Sequence, residues 1–199
     1  MRSSVAMLVA LLVGVMPMGC QAPRAGRALP SELAGSDPDR QLDYWQAMAD
    51  QPIASNDEAF HGLLLYVDGA DESADYPARV AALRARRMIP ASFDEPAESA
   101  ITRGVLGVAI MKLLDQKGGV TMQVLGRVSG PCPRYATREL VFLNVYPPST
   151  PNQVLTGGEF VGIIGRVEDF QRGNAAGVPA VVPAELNAPP AATQPVRSF

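Results

Sequence analysis

The chain has 199 residues, 47% of them hydrophobic and 19% charged, which is room for one domain with a single core once removable ends are discounted. A net charge of −3 excludes a dedicated nucleic-acid binder, which would present a basic face to phosphates, and no nucleic-acid partner is expected. Two cysteines and one histidine exclude a Cys-rich scaffold or a zinc cluster, so no metal and no cofactor is expected; a His-based site would have to be built around His61 alone.

Residues Met1 to Cys20 have the layout of an export signal: Arg2, then the apolar run from Val5 to Val15, then Met16-Pro-Met-Gly-Cys20. The run is too short to span a bilayer. The Gly-Cys ending resembles the lipobox of bacterial lipoproteins, departing from it at Pro17, where Leu is usual, and at Met18, where Ala or Ser is usual. The resemblance implies that the Cys20 thiol is joined to diacylglycerol and becomes the mature N-terminus, attaching the protein to a membrane. Gln21, in place of the Asp that favours inner-membrane retention, implies an outer-membrane anchor facing the periplasm. The competing reading is a plain secretory signal cut nearby.

Gln21 to about Asp39 carries Pro23, Gly26, Pro30, Gly35 and Pro38 with no periodic apolar stripe, which predicts a flexible tether over residues 20–39 and a body over 40–172. Leu42, Trp45 and Met48 stand at helical spacing and predict a first short helix with Trp45 as its anchor. Pro52 ends it; Ser55 or Asn56 caps the next helix, with Asp57 and Glu58 in its first turn and Phe60, Leu63, Leu64 and Val67 as its stripe. His61 lies in that helix and reads as an ordinary helical residue.

A third helix runs from Asp75 to Met88 with Pro77 in its first turn; the arginines at 79, 84, 86 and 87 complement its dipole or form an anion-binding patch. The longest apolar-periodic run of the body, Ala100 to Leu114, predicts a central helix capped by Thr102 and buried on most sides. Val120 to Leu125 is a short strand or an extended connector. Pro133 opens a further helix through Asn144 that carries Tyr135, and Thr156 caps the last, which reaches about Phe170. Residues 173–199, rich in Ala, Pro and Val, predict a disordered tail.

A two-part pattern emerges: helix, proline-containing loop, Thr-capped apolar helix, over about 56–117 and 118–172, with the Asn56 helix as opening member. Thr102 and Thr156 are 156 − 102 = 54 residues apart. Thr102-Arg103-Gly104-Val105 and Thr156-Gly157-Gly158-Glu159 resemble the Thr-Arg-Ala-Glu type start of S-layer homology repeats. The resemblance covers about 56–170 and implies an all-α fold and binding to cell-wall polymer. In the family the motif Arg contributes to the ligand site and binders combine three full repeats. That role carries over to Arg103 alone, because Gly157 occupies the position in the second copy.

Positionally the chain reads as a non-enzymatic envelope lipoprotein, a membrane-tethered helical scaffold meeting another envelope protein. The alternative is a polymer- or small-ligand-binding module using Arg103 with Trp45 or Tyr135. No Gly-rich phosphate loop or Gly-x-Ser-x-Gly nucleophile motif points to an enzyme. Cys132, between Pro131 and Pro133, has no intramolecular partner once Cys20 carries lipid, which leaves it buried and inert, exposed and free, or joined to a second chain.

Overall fold

The computed structural model describes residues 23–26, 37–114 and 132–175. The fold is all-α, with six helices among the described residues: α1 Pro38–Ala49, α2 Asn56–Asp68, α3 Tyr76–Ala85, α4 Arg103–Leu113, α5 Pro133–Phe142 and α6 Gly157–Ala175. Their starts are written locally. Asp75 accepts from Ala78 N–H, Thr102 from Val105 N–H, and α1, α3 and α5 each carry Pro in the first two positions, where no helical donor is lost. Ser55 and Glu58 form a reciprocal capping box, and Thr156 and Glu159 make the same exchange at α6. Gly69 ends α2 at φ 76°, a left-handed conformation that glycine adopts without steric cost.

The helices form three helix–loop–helix units, α1–α2, α3–α4 and α5–α6. The second and third stop their first helices alike: Arg87 and Asn144 take positive φ (57° and 59°), and the next amides, Met88 and Val145, donate back to Leu83 and Leu140. The predicted repeat therefore has a third member. The Asn56 helix belongs to a full unit beginning at Pro38, which the sequence hides because its linking loop is short and lacks the left-handed stop.

The three units close into a ring. Ahead of each cap lies a fully buried residue, Ala54, Ile101 and Leu155. These bond in a cycle: Ile101 N–H to Ala54 C=O at 2.9 Å, Leu155 N–H to Ile101 C=O at 3.2 Å, and Ala54 N–H to Leu155 C=O at 2.9 Å. The first amide of each capped helix then donates into the loop of the following unit: Asn56 to Ser99 (2.8 Å), Arg103 to Gln153 (2.9 Å) and Gly157 to Gln51 (2.9 Å). Helix N-termini leave amides without intrahelical partners, and here the neighbouring unit supplies the acceptors. Helix packing follows the same cycle, with α2 on α3, α4 on α5 and α6 on α1.

The core lies inside this ring. Helix α4 buries Leu106, Val108, Ala109, Ile110 and Met111, which agrees with its expected burial on most sides. Gly107 contributes by closeness, since a Cβ there would stand 3.5 Å from Ala136 and Leu140 of α5. In α1 the buried residues are Tyr44 and Met48; Leu42 is exposed and Trp45 is half-buried, so Tyr44 replaces Trp45 as the anchor. Helical periodicity allows either face, and the Tyr44 hydroxyl decides it by donating to Glu58 C=O at 2.7 Å inside the core.

Residues 23–26 and 37–39 of the expected tether are described. Residues 23–26 lie along the second unit, with Ala25 N–H donating to Glu98 C=O and Ala100 N–H to Pro23 C=O, both at 2.9 Å. Lone backbone pairings of this kind carry no hydrophobic pattern by which a sequence would announce them. Residues 27–36 of the tether, the Val120–Leu125 connector, Cys20 and the tail beyond residue 175 lie outside the described residues, while Pro38 and Asp39 belong to α1.

Candidate functional site

The junction between α4 and α6 holds the most unusual side chain of the protein. Arg103, the first residue of α4, is 2% exposed, yet its guanidinium has one ion-pair partner: Nη2 donates to Glu159 Oε1 at 2.6 Å. Tyr146, from the loop between α5 and α6, lies under it with the ring centroid 5.7 Å from Cζ, and the Tyr146 hydroxyl donates to Arg103 C=O at 3.1 Å. Nε and Nη1 are buried with no hydrogen-bond partner among the described residues.

This arrangement follows from the ring. The residue after each cap points toward the next unit: Asn56 donates its amide to Pro96 C=O, Arg103 reaches Glu159, and Gly157 meets the backbone of α1 so closely that a Cβ would stand 1.7 Å from Met48 C=O. One of the three equivalent places therefore carries a cation. Glu159 serves both its own cap and this ion pair. Its carboxyl is held below the usual carboxylate range, first by the Thr156 backbone amide, against some desolvation, and then by the Arg103 charge. Burial pushes the Tyr146 hydroxyl well above its ordinary value, so it remains a neutral donor.

Of the two expected pairings, Arg103 with Trp45 or with Tyr135, the first is not brought to one pocket. Trp45 stacks near-parallel on Phe160 at 6.2 Å and lines an apolar groove of about 450 Å³ with Leu65, Tyr66, Val161, Ile164, Gly165 and Glu168, which does not include Arg103. Tyr135 is half-buried on α5. Cys132 is half-buried and free, at the N-cap position of α5, where it makes no capping bond.

Sequence reasoning missed a second polar cluster. His61 Nδ1 lies 2.7 Å from Asp71 Oδ2, Arg79 Nε donates to the same oxygen at 2.5 Å, and Arg79 Nη1 donates to Asp57 Oδ1 at 2.6 Å. The His61 ring meets Tyr44 edge to face at 4.8 Å, and its Nε2 is buried without a partner among the described residues. Desolvation raises the Asp71 pKa, but hydrogen bonds from Arg79, His61 and Ser73 outweigh it and hold the carboxyl below the usual range. The cluster fastens the 69–75 loop to α2 and α3. Arg79 thus neutralises the buried Asp71 and pairs with the part-exposed Asp57, Arg86 pairs with Asp68, and Arg84 donates to Phe93 C=O, so these three arginines are engaged within the fold and do not form the alternative anion-binding patch. A lone histidine in an apolar run with an acidic loop ten residues on was the available signal.

Among the described residues no three His, Cys, Asp or Glu are placed to hold a metal, and no helix is long and apolar enough to cross a membrane. Comparison with protein-family models, with curated proteins and with solved structures yields no match.

Proposed function

We propose that this chain is a non-enzymatic envelope lipoprotein, anchored through acylated Cys20, whose body is a helical interaction module of the S-layer homology kind. One observation carries the reading: three capped helix–loop–helix units close on one another through a cyclic set of backbone bonds. That supplies the number of repeats which the resemblance of Thr102-Arg103-Gly104-Val105 to the family motif calls for. The Gly-Cys end of the apolar leader supports the anchor.

The partner is another envelope protein or a cell-wall polymer. The polymer reading is favoured by the unpartnered Nε and Nη1 nitrogens of Arg103, because a buried donor left unpaired costs about 1–3 kcal/mol, which acidic groups of a polymer would recover on reaching the junction. The test is co-sedimentation with purified cell-wall polymer beside pull-down from native envelopes, using the wild type and Arg103→Gln. Polymer retention lost in Arg103→Gln supports the polymer reading. Retention of a defined envelope protein by both forms supports the scaffold. Cys20→Ser is expected to leave the membrane fraction or accumulate unprocessed, and normal processing with membrane retention would refute the anchor.

A further inference from the structure

The clasp between residues 23–26 and the second unit bears on how an anchored body meets its membrane. Pro23 C=O accepts from Ala100 N–H, and Ala25 N–H donates to Glu98 C=O. The 97–99 segment is itself held from the other side, by Asn56 N–H on Ser99 C=O and Asp57 N–H on Ala97 C=O. Pro23 is therefore fastened, through Ala100 and Ser99, to the capped end of α2 and to the closing ring of the body.

Between Cys20 and Pro23 lie Gln21 and Ala22. Three residue steps reach at most about 11 Å when fully extended. A free tether from Cys20 to the start of α1, by contrast, would have a mean span of about 25 Å and a limit near 60 Å. We infer that the anchored body is held close against the membrane, with the face bearing Arg24, Pro96 and Glu98 near the lipid headgroups. The inference rests on acylation of Cys20.

The chemistry of this face identifies what holds it. Arg24, Pro96 and Glu98 are exposed, and Asp94 and Glu95 are exposed nearby. Among the described residues the face carries neither a basic cluster to attract anionic lipid nor an apolar patch to insert. The lipid on Cys20 and the two backbone bonds hold it there, so zwitterionic lipid is sufficient.

The test uses the full lipidated chain in phosphatidylcholine vesicles with a headgroup quencher, and a fluorophore on Glu98→Cys in a Cys132→Ser background. Strong quenching is expected. A 12-residue Gly/Ser spacer inserted between Ala22 and Pro23 keeps the clasp but lengthens the leash to a mean span of about 20 Å, and most of the quenching is expected to disappear. Ala25→Pro removes a clasp donor at the surface of the fold and is expected to weaken quenching toward the spacer value. Equal quenching in all three proteins overturns the inference. Failure of the wild type to float with vesicles, or absence of the lipid by mass, refutes the anchor instead. The clasp has its own readout in the unacylated Cys20→Ser chain: slow hydrogen exchange at the Ala25 and Ala100 amides supports it, and exchange at the rate of open chain overturns it.

Discussion

Closure of the ring can be tested at one atom. Gly157 is the first residue of α6, and a Cβ built there stands 1.7 Å from Met48 C=O and 2.9 Å from Gln51 Cβ. Backbone cannot rotate away as a flexible side chain would, so Gly157→Ala must push α6 off α1. Overpacking of this kind costs about 1–3 kcal/mol. The shift also weakens the Gly157 N–H to Gln51 C=O bond, adding about 0.5–1.5 kcal/mol. Against these, alanine gains up to about 1 kcal/mol over glycine within a helix, and less at its first position. The net expectation is a loss of about 1–4 kcal/mol. Gly162, five residues along the same helix, is exposed with nothing within 4 Å of its Cβ position. Gly162→Ala keeps the propensity gain alone and is expected to stabilise by about 0.5–1 kcal/mol. Urea unfolding of both variants under identical conditions measures the two. Gly157→Ala as stable as Gly162→Ala would refute the close approach of α6 to α1.

Loss of the Thr102 cap in Thr102→Ala is expected to cost about 1 kcal/mol, and Leu106→Ala or Ile110→Ala, each opening a cavity at a fully buried position, about 2–5 kcal/mol by denaturation midpoints. Glu159→Gln leaves the buried Arg103 charge without its counter-ion and is expected to cost about 1–3 kcal/mol, whereas Arg103→Met, which removes the charge together with its unpaired donors, is expected to be better tolerated; thermal melts rank the two. The folded Asp71 carboxyl has its pKa below the unfolded value, so its stabilisation is present above the unfolded pKa and lost as pH falls through the folded one. The stability gap between wild type and Asp71→Asn should therefore shrink as pH falls through and below the ordinary carboxylate range, and a gap independent of pH would contradict the ion-paired carboxylate.

The sequence by itself determined the helices, because the signals that start and stop them are local. A hydroxyl or carboxylate bonds an amide three residues on, a proline sits in a first turn, and a glycine turns left-handed. Ser55, Asp75, Thr102, Thr156 and Pro133 could all be read in this way, as could the buried character of α4, whose apolar residues leave no polar face. Only the tertiary structure decided how these pieces meet. The cyclic bonds joining Ala54, Ile101 and Leu155 link residues about fifty to a hundred positions apart, and backbone groups are alike in every residue, so no side-chain pattern foretells them. The same holds for Arg103. Its place at the head of α4 was legible, but its burial against Tyr146 and its pairing with Glu159 depend on where the third unit closes. Trp45 and Tyr44 are neighbours on one helical turn, and which of them enters the core was settled by an acceptor on α2. His61 with Asp71, and Pro23 with Ala100, are likewise products of the closed ring, which gives a polar group its partner only after the distant chain has arrived.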